Sequence, residues 1–378
     1  MKLSSLKSFS IDVILLKITC LAWIIAKIMS FKLWTADRFF PVISPIDIIS
    51  VHNNVHLFLY LSSLVAMASI IFFPNKKIIF LVVILEILTC LLDYMRWQPW
   101  EYQYLLTLVF FAFAKDRKQF LSLFIFLIGC TYILSGAHKF DGSFLYTFWD
   151  ATILRKIMHL DNATIKLPLI HYSGLVLCFI EVFMGMGLLF FRKKKYVCVT
   201  AILMHLMIIL LYGPTGMNYN LIIVPWNIAM LLFALVLFNQ KEGMVINRNF
   251  FKSKFNLAVV ILIGILPMLS FFGKWDDYLS FNLYSGNTKI LAICVTDTKQ
   301  YPELNRYSST IKNNKYCDNA YIIKTNEWAM DELNVPVVPE ERIFNKVQFY
   351  FNQHYPNLPN TFVCYRYPYK KENIIPLP

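Results

Sequence analysis

The chain has 378 residues, 57% hydrophobic, 16% aromatic and 16% charged, with a net charge of +13. A soluble domain carries roughly 25% charged residues, so this composition excludes a water-soluble globular protein. The excess cations sit in short loops beside apolar runs, where they orient a membrane protein and meet anionic lipid; nucleic acid is not expected as a partner.

A helix needs about 20 apolar residues to cross the hydrocarbon core. Candidate spans in chain order are 10–30, 55–73, 78–94, 100–114, 120–137, 169–191, 196–212, 221–238 and 258–272. The expected fold is an all-α integral membrane bundle of about nine spans; the short, aromatic-rich fourth run leaves eight as the alternative. Lys17 interrupts the first run and no small-residue cleavage pattern follows, so it is read as an uncleaved span. Cations cluster at Lys2 and Lys7, Lys76 and Lys77, 115–118, 192–195 and 241–254, in every second loop. The positive-inside bias then predicts a multi-pass protein of the cell membrane, amino terminus cytoplasmic and carboxyl terminus outside. Of the outer loops, 31–51 carries Trp34, Phe39, Phe40, Pro41 and Pro45 and suits a re-entrant or interfacial segment. Residues 144–159, with Trp149 and Arg155, suit a helix at the headgroups.

Composition shifts after Gly273. Residues 274–378 hold 12 Lys/Arg against 11 Asp/Glu, a balance that marks a boundary between a transmembrane domain, 1–273, and a small extracytoplasmic α/β domain, 274–378. Patterning there predicts strands at 290–295, 320–324 and 361–367 and helices at 327–333 and 340–354. Cys20, Cys90, Cys130, Cys178 and Cys198 lie in spans and read as small buried hydrophobes. Of Cys294, Cys317 and Cys364, two can pair in an oxidising compartment; which two is open.

Ionisable groups at membrane depth cost about 2.5–3.5 kcal/mol each, so they face a bundle interior or a cavity. Glu86 and Asp93 share a face of the third span around Cys90, with Arg96 one turn beyond Asp93. His171, Gly174, Cys178, Glu181 and Gly185 form one stripe on the sixth span. His205 lies near the middle of the seventh, and Asn220 and Asn227 share a face of the eighth beside Pro225. Interhelical hydrogen bonding is one account of these groups; a polar cavity open to the outer face is the preferred one. His52 and His56 have metal-ligand spacing, but no Glu follows His52 and no third ligand is evident, so no metal is expected. The sharpest local signal is 132–142, where Tyr132, Ser135 and Lys139 share one face and His138 is rotated by about 100° from Lys139. A lysine stripped of hydration can accept a proton near neutral pH, whereas one at a span end can instead snorkel to the headgroups.

The run Ser135-Gly136-Ala137-His138-Lys139-Phe140-Asp141 resembles the Ala-Gly-x-Lys-Lys-Leu-Asp stretch of the vitamin K-dependent gamma-glutamyl carboxylase and its bacterial relatives with a horizontally transferred transmembrane domain. The resemblance covers about residues 10–240 and implies that Lys139 is the base that deprotonates a hydroquinone. His138 then stands where the family often has a second Lys. An aromatic outer helix, a Gly-rich acidic span and a span carrying His205 follow in the same order. The carboxylase's large β-rich lumenal region is replaced by the small tail. The stretch from Asp93 to Tyr104 is similar to one in DoxX-like membrane proteins, small quinone-associated bundles, and the runs 213–216 and 283–287 share that character.

The expected site is thus an outward cavity lined by Arg96, Lys139, Glu181 and His205. Lys139 is the base, Arg96 or His205 stabilises the oxyanion, and Trp97, Trp100 and Tyr132 flank the ring of a quinone or hydroquinone, with His138 and Asn220 also lining the pocket. Two alternatives stand beside it: a non-catalytic DoxX-like subunit that docks a periplasmic protein through 274–378, and a lipid or small-molecule transporter whose path follows spans broken near Pro214 and Pro225.

Overall fold

The computed structural model describes residues 10–45, 51–238, 246–296, 301–310, 317, 321–368, 370 and 373–377. Lys2, Lys7 and Lys241, used above for orientation, lie outside these residues. The chain is 67% helical, with a small antiparallel sheet near its carboxyl end. Helical segments fall on every expected span: α1 (Ile11–Met29), α2 (Asn53–Phe72), α3 (Lys76–Cys90), α4 (Pro99–Phe113), α5 (Arg117–His138), α6 (Leu175–Phe190), α7 (Lys195–Tyr212), α8 (Ile223–Phe238) and α9 (Lys254–Phe272). Five are long and apolar enough to cross a membrane: α2, α5 with its continuation to Asp141, α6 with the preceding turn from Pro168, α7 and α9. Of the others, α3 and α4 have 15 residues each and α8 has 16.

Local sequence sets the helix starts. The side chains of His52, Asn75 and Asp116 accept backbone N–H bonds at the starts of α2, α3 and α5, and Pro99 occupies the first position of α4, where its missing N–H costs nothing. Two expectations are corrected here. Helix α3 ends at Cys90, so Asp93 is not on it; its carboxylate caps the 3-10 turn Tyr94–Arg96 by accepting from the Met95 N–H at 3.0 Å. Pro214 lies in a loop and Pro225 in the first turn of α8, so neither breaks a helix in mid-course. It is α9 that is irregular, passing from α-helix through a π segment (Val260–Ile265) to a 3-10 end that contains Pro267.

Helix α5 is the spine, buried along almost its whole length. It packs most closely on α6 because glycines face each other. A Cβ added to Gly185 would lie 2.5 Å from the Gly129 carbonyl oxygen. The loops gather at two ends. At one, Lys76 Nζ donates to the Ala114 carbonyl at 3.0 Å, Gln119 to Asn256 at 2.8 Å, and Arg117 reaches Asp12 at 3.6 Å. At the other, Ser143 donates to the Ser285 carbonyl at 2.6 Å, Asn220 to Tyr284 at 3.0 Å, and Asn334 to the Met29 carbonyl at 3.2 Å.

That second end carries the tail. Strands β1 (Ile290–Val295), β2 (Ser308–Thr310), β3 (Tyr321–Lys324), β4 (Asn360–Tyr365) and β5 (Ile374–Pro376) form an antiparallel sheet in the order β2-β3-β1-β4-β5. With them come α10 (Thr325–Leu333) and α11 (Glu341–His354). Sequence patterning misses β2 and β5, three residues each, too short to show alternation. Cys294 on β1 is bonded to Cys317, and Cys364 is free and buried. The tail shares its core with the helices. Trp328 of α10 is packed by Phe39 and Phe40 at ring separations of 4.8 and 4.9 Å, and Glu332 accepts the N–H groups of both phenylalanines. Segment 31–45 is therefore folded between the helices and the tail.

Candidate functional site

A cavity of about 580 Å3 lies among α5, α6, α7 and α8, roofed by the π-helix Leu145–Ile157. The shared face expected on α5 is real: Tyr132, Ser135 and Lys139 all line it, as do Glu181 of α6 and His205 of α7. The rest of the wall is almost wholly apolar, including Phe148, Trp149, Ile208 and Met230.

Its polar atoms form two separate chains. In the first, the Lys139 ammonium donates to Glu181 Oε2 at 2.7 Å, to Ser135 Oγ at 2.8 Å and to the Ser135 carbonyl at 3.0 Å. Three acceptors use all three N–H donors. Lys139, 5% exposed, therefore neither snorkels nor stands as a lone amine; the basic oxygen of the pair belongs to Glu181. In the second chain, Asn227 Nδ2 donates to the Ile223 carbonyl at 2.9 Å, which turns its Oδ1 toward His205 Nδ1 at 2.7 Å. An amide oxygen only accepts, so the proton of a neutral His205 is assigned to Nδ1. Its Nε2 is left to accept from the Tyr132 hydroxyl at 2.6 Å. Asn227, which sequence reasoning noted only as sharing a face with Asn220, is the residue that sets this tautomer.

The remaining expected residues lie elsewhere. His138, one position from Lys139, turns to the opposite side, stacks on Phe271 at 4.2 Å, and lines a second, polar cavity of about 490 Å3. Asn220 reaches only the rim, through the hydroxyl of Tyr284. Arg96, Trp97 and Trp100 do not line the apolar cavity, which corrects the expectation that they flank its ligand. Because α3 stops at Cys90, the following turn aims Arg96 back among α1–α4, where it donates to the Leu33 carbonyl at 3.0 Å, the Thr89 carbonyl at 2.8 Å and His56 Nδ1 at 2.7 Å. Trp100 packs on Trp34, and Trp97 lies beneath the tail near Tyr278. His56 is thus spent on Arg96, and no group of three or more metal-ligating side chains is found among the described residues.

Around Arg96 is a buried ionic network that the sequence disclosed only in part. Lys27 pairs with Glu86 at 2.6 Å and lies over the Trp34 ring at 3.5 Å, Arg38 pairs with Asp93 at 2.6 Å, and Trp23 donates to Glu101. Lys27 and Glu101 gave no periodic signal, since each is a lone charge near the end of an apolar run. No family model, curated protein or solved structure matches this chain.

Proposed function

We propose that this chain is a multi-pass protein of the cell membrane, tail outside, that takes a quinone- or quinol-class ring compound into the apolar cavity and exchanges a proton with it. The observation that carries this reading is the meeting of two buried polar chains, Lys139–Glu181 and Tyr132–His205–Asn227, on one otherwise apolar void of ligand size. Access is sideways. Helix α6 packs chiefly on α5 and α7 chiefly on α8, with a lighter contact between α6 and α7. Leu203 and Met207 of α7 are 61% and 40% exposed, so a lipophilic molecule can slide in from hydrocarbon.

The chain's residues then divide the work. Phe148, Trp149 and Trp226 supply aromatic surface for a ring, and the apolar wall excludes water. The Tyr132 oxygen, its own hydrogen held by His205 Nε2, has lone pairs free to accept a ring hydroxyl's proton while passing its own to the imidazole. The Lys139 ammonium holds the resulting ring oxyanion, and the Glu181 carboxylate is a second acceptor beside it. The ligand's own redox chemistry is what a quinol would supply. The reading agrees with the family resemblance of residues 135–141, with the carboxylase's lysine base replaced by a lysine–glutamate pair.

Solvent extraction of the purified protein followed by mass spectrometry should recover a stoichiometric quinone, and decylubiquinone should quench tryptophan fluorescence saturably. Absence of both sinks the reading.

A further inference from the structure

The polar cavity on the far side of the 137–142 turn shares no lining residue with the apolar one, so what it binds can be argued independently. Three carboxyl groups line it, each accepting an N–H bond, and Glu340 also lies 3.8 Å from the Arg342 guanidinium, which is bonded chiefly to Asp276. Asp141 accepts from the Ser143 N–H and from Asn287, Asp277 accepts from Asn282 at 2.9 Å, and Glu340 accepts from the Asp277 N–H at 2.9 Å. Lys289 also lines the cavity, but its ammonium is drawn to Glu341 at 3.1 Å. Burial pushes Glu340 up to about 7 and raises Asp277, with the Lys289 charge opposing in both. The aromatic residues Phe271, Trp275 and Tyr367 line the same cavity. Carboxylates together with aromatic faces are the surface that recognises an ammonium group. The Trp275 indole N–H adds an opposite demand: it is buried with no partner among the described residues, and only an acceptor oxygen would satisfy it. The cavity lies beside Phe140, Phe271 and Phe272, 40%, 47% and 75% exposed, at the end of α9, a helix long and apolar enough to cross a membrane.

We propose that this cavity binds an ethanolamine-type ammonium group, the ammonium among Asp141, Asp277 and Glu340 and a neighbouring oxygen at the Trp275 N–H, reached either as a free solute or as the head of a zwitterionic phospholipid. The test uses the full chain in nanodiscs of phosphatidylglycerol alone, titrated calorimetrically with glycerophosphoethanolamine. Binding is expected, and glycerophosphoglycerol, which lacks the ammonium, should give none. Glu340→Gln, which is near-isosteric, and Trp275→Phe, which removes the indole N–H but keeps an aromatic ring, should each weaken binding by about tenfold while leaving the unfolding midpoint close to the parent's. Discs that contain phosphatidylethanolamine distinguish the sources: loss of the titration heat assigns the site to the lipid head, and undiminished heat assigns it to the free solute. No heat together with identical unfolding in both kinds of disc overturns the proposal, as does equal binding of the glycerol probe or unchanged affinity in both variants.

Discussion

Two buried ionic regions lie in this molecule, and their difference is more informative than either alone. Among α1–α4, Lys27, Arg38 and Arg96 face Glu86, Asp93 and Glu101, equal in number, with all three cations fully buried and bonded. Among α5–α8, the Lys139–Glu181 pair and the Tyr132–His205–Asn227 chain border a void of about 580 Å3. The first region clamps helices and the segment 31–45 together. The second leaves acceptor oxygens facing empty apolar space. A buried charge is therefore not by itself a candidate site; a buried charge beside a cavity is.

The contrast can be broken by mutation. The largest effect is expected for Lys27→Ala, which strands the Glu86 carboxylate without its cation in a dry interior. Removing one partner of a buried pair costs about 3–5 kcal/mol, so a large drop in unfolding midpoint by dye-monitored melting should follow, with poor recovery of monodisperse protein. A Lys27→Ala protein as stable as its parent would show the network to be incidental.

Lys139→Ala should behave oppositely, because the cavity can admit water or ligand to the Glu181 carboxylate. Decylubiquinone affinity should fall by roughly ten- to a hundredfold, while the melting midpoint stays within a few degrees of the parent's. A collapse in stability with affinity unchanged would move this pair into the clamping class.

The smallest effect belongs to a third polar region, the surface cavity with water at hand. Glu340 has an ordinary value of 4.5, raised to about 7 by burial and by the nearby Asp276 and Asp277 charges, with Lys289 opposing. The folded chain therefore holds this proton more tightly than the unfolded one. Its contribution is full below pH 4.5 and is lost as pH rises through about 7. After discounting for partial exposure, the loss is about 1–2 kcal/mol. Glu340→Gln should remove this component, so the parent-minus-variant stability should decline across that window and level off above it. A flat difference would place Glu340 in open water.

Much of this was legible in the chain itself. Apolar runs lie under all nine helical segments, five of them long enough to cross a membrane, and the shared face of Tyr132, Ser135 and Lys139 follows from helical periodicity alone, as does the divergence of His138 from Lys139. The stripe through Glu181 and Gly185 likewise meets α5 because small residues at that spacing permit close approach. Arg96 was misplaced for a local reason: three residues of 3-10 turn after an early helix end rotate its side chain into a different set of helices.

Periodicity is a property of neighbours along the chain, so it sufficed for the helices and for the face shared by Tyr132, Ser135 and Lys139. The pairing of Lys139 with Glu181, the Asn227 contact that orients His205, the Cys294–Cys317 bond and the docking of Trp328 on Phe39 and Phe40 join residues far apart in order. Those depend on how helices cross and where they leave space, and packing of the whole bundle is what fixes both.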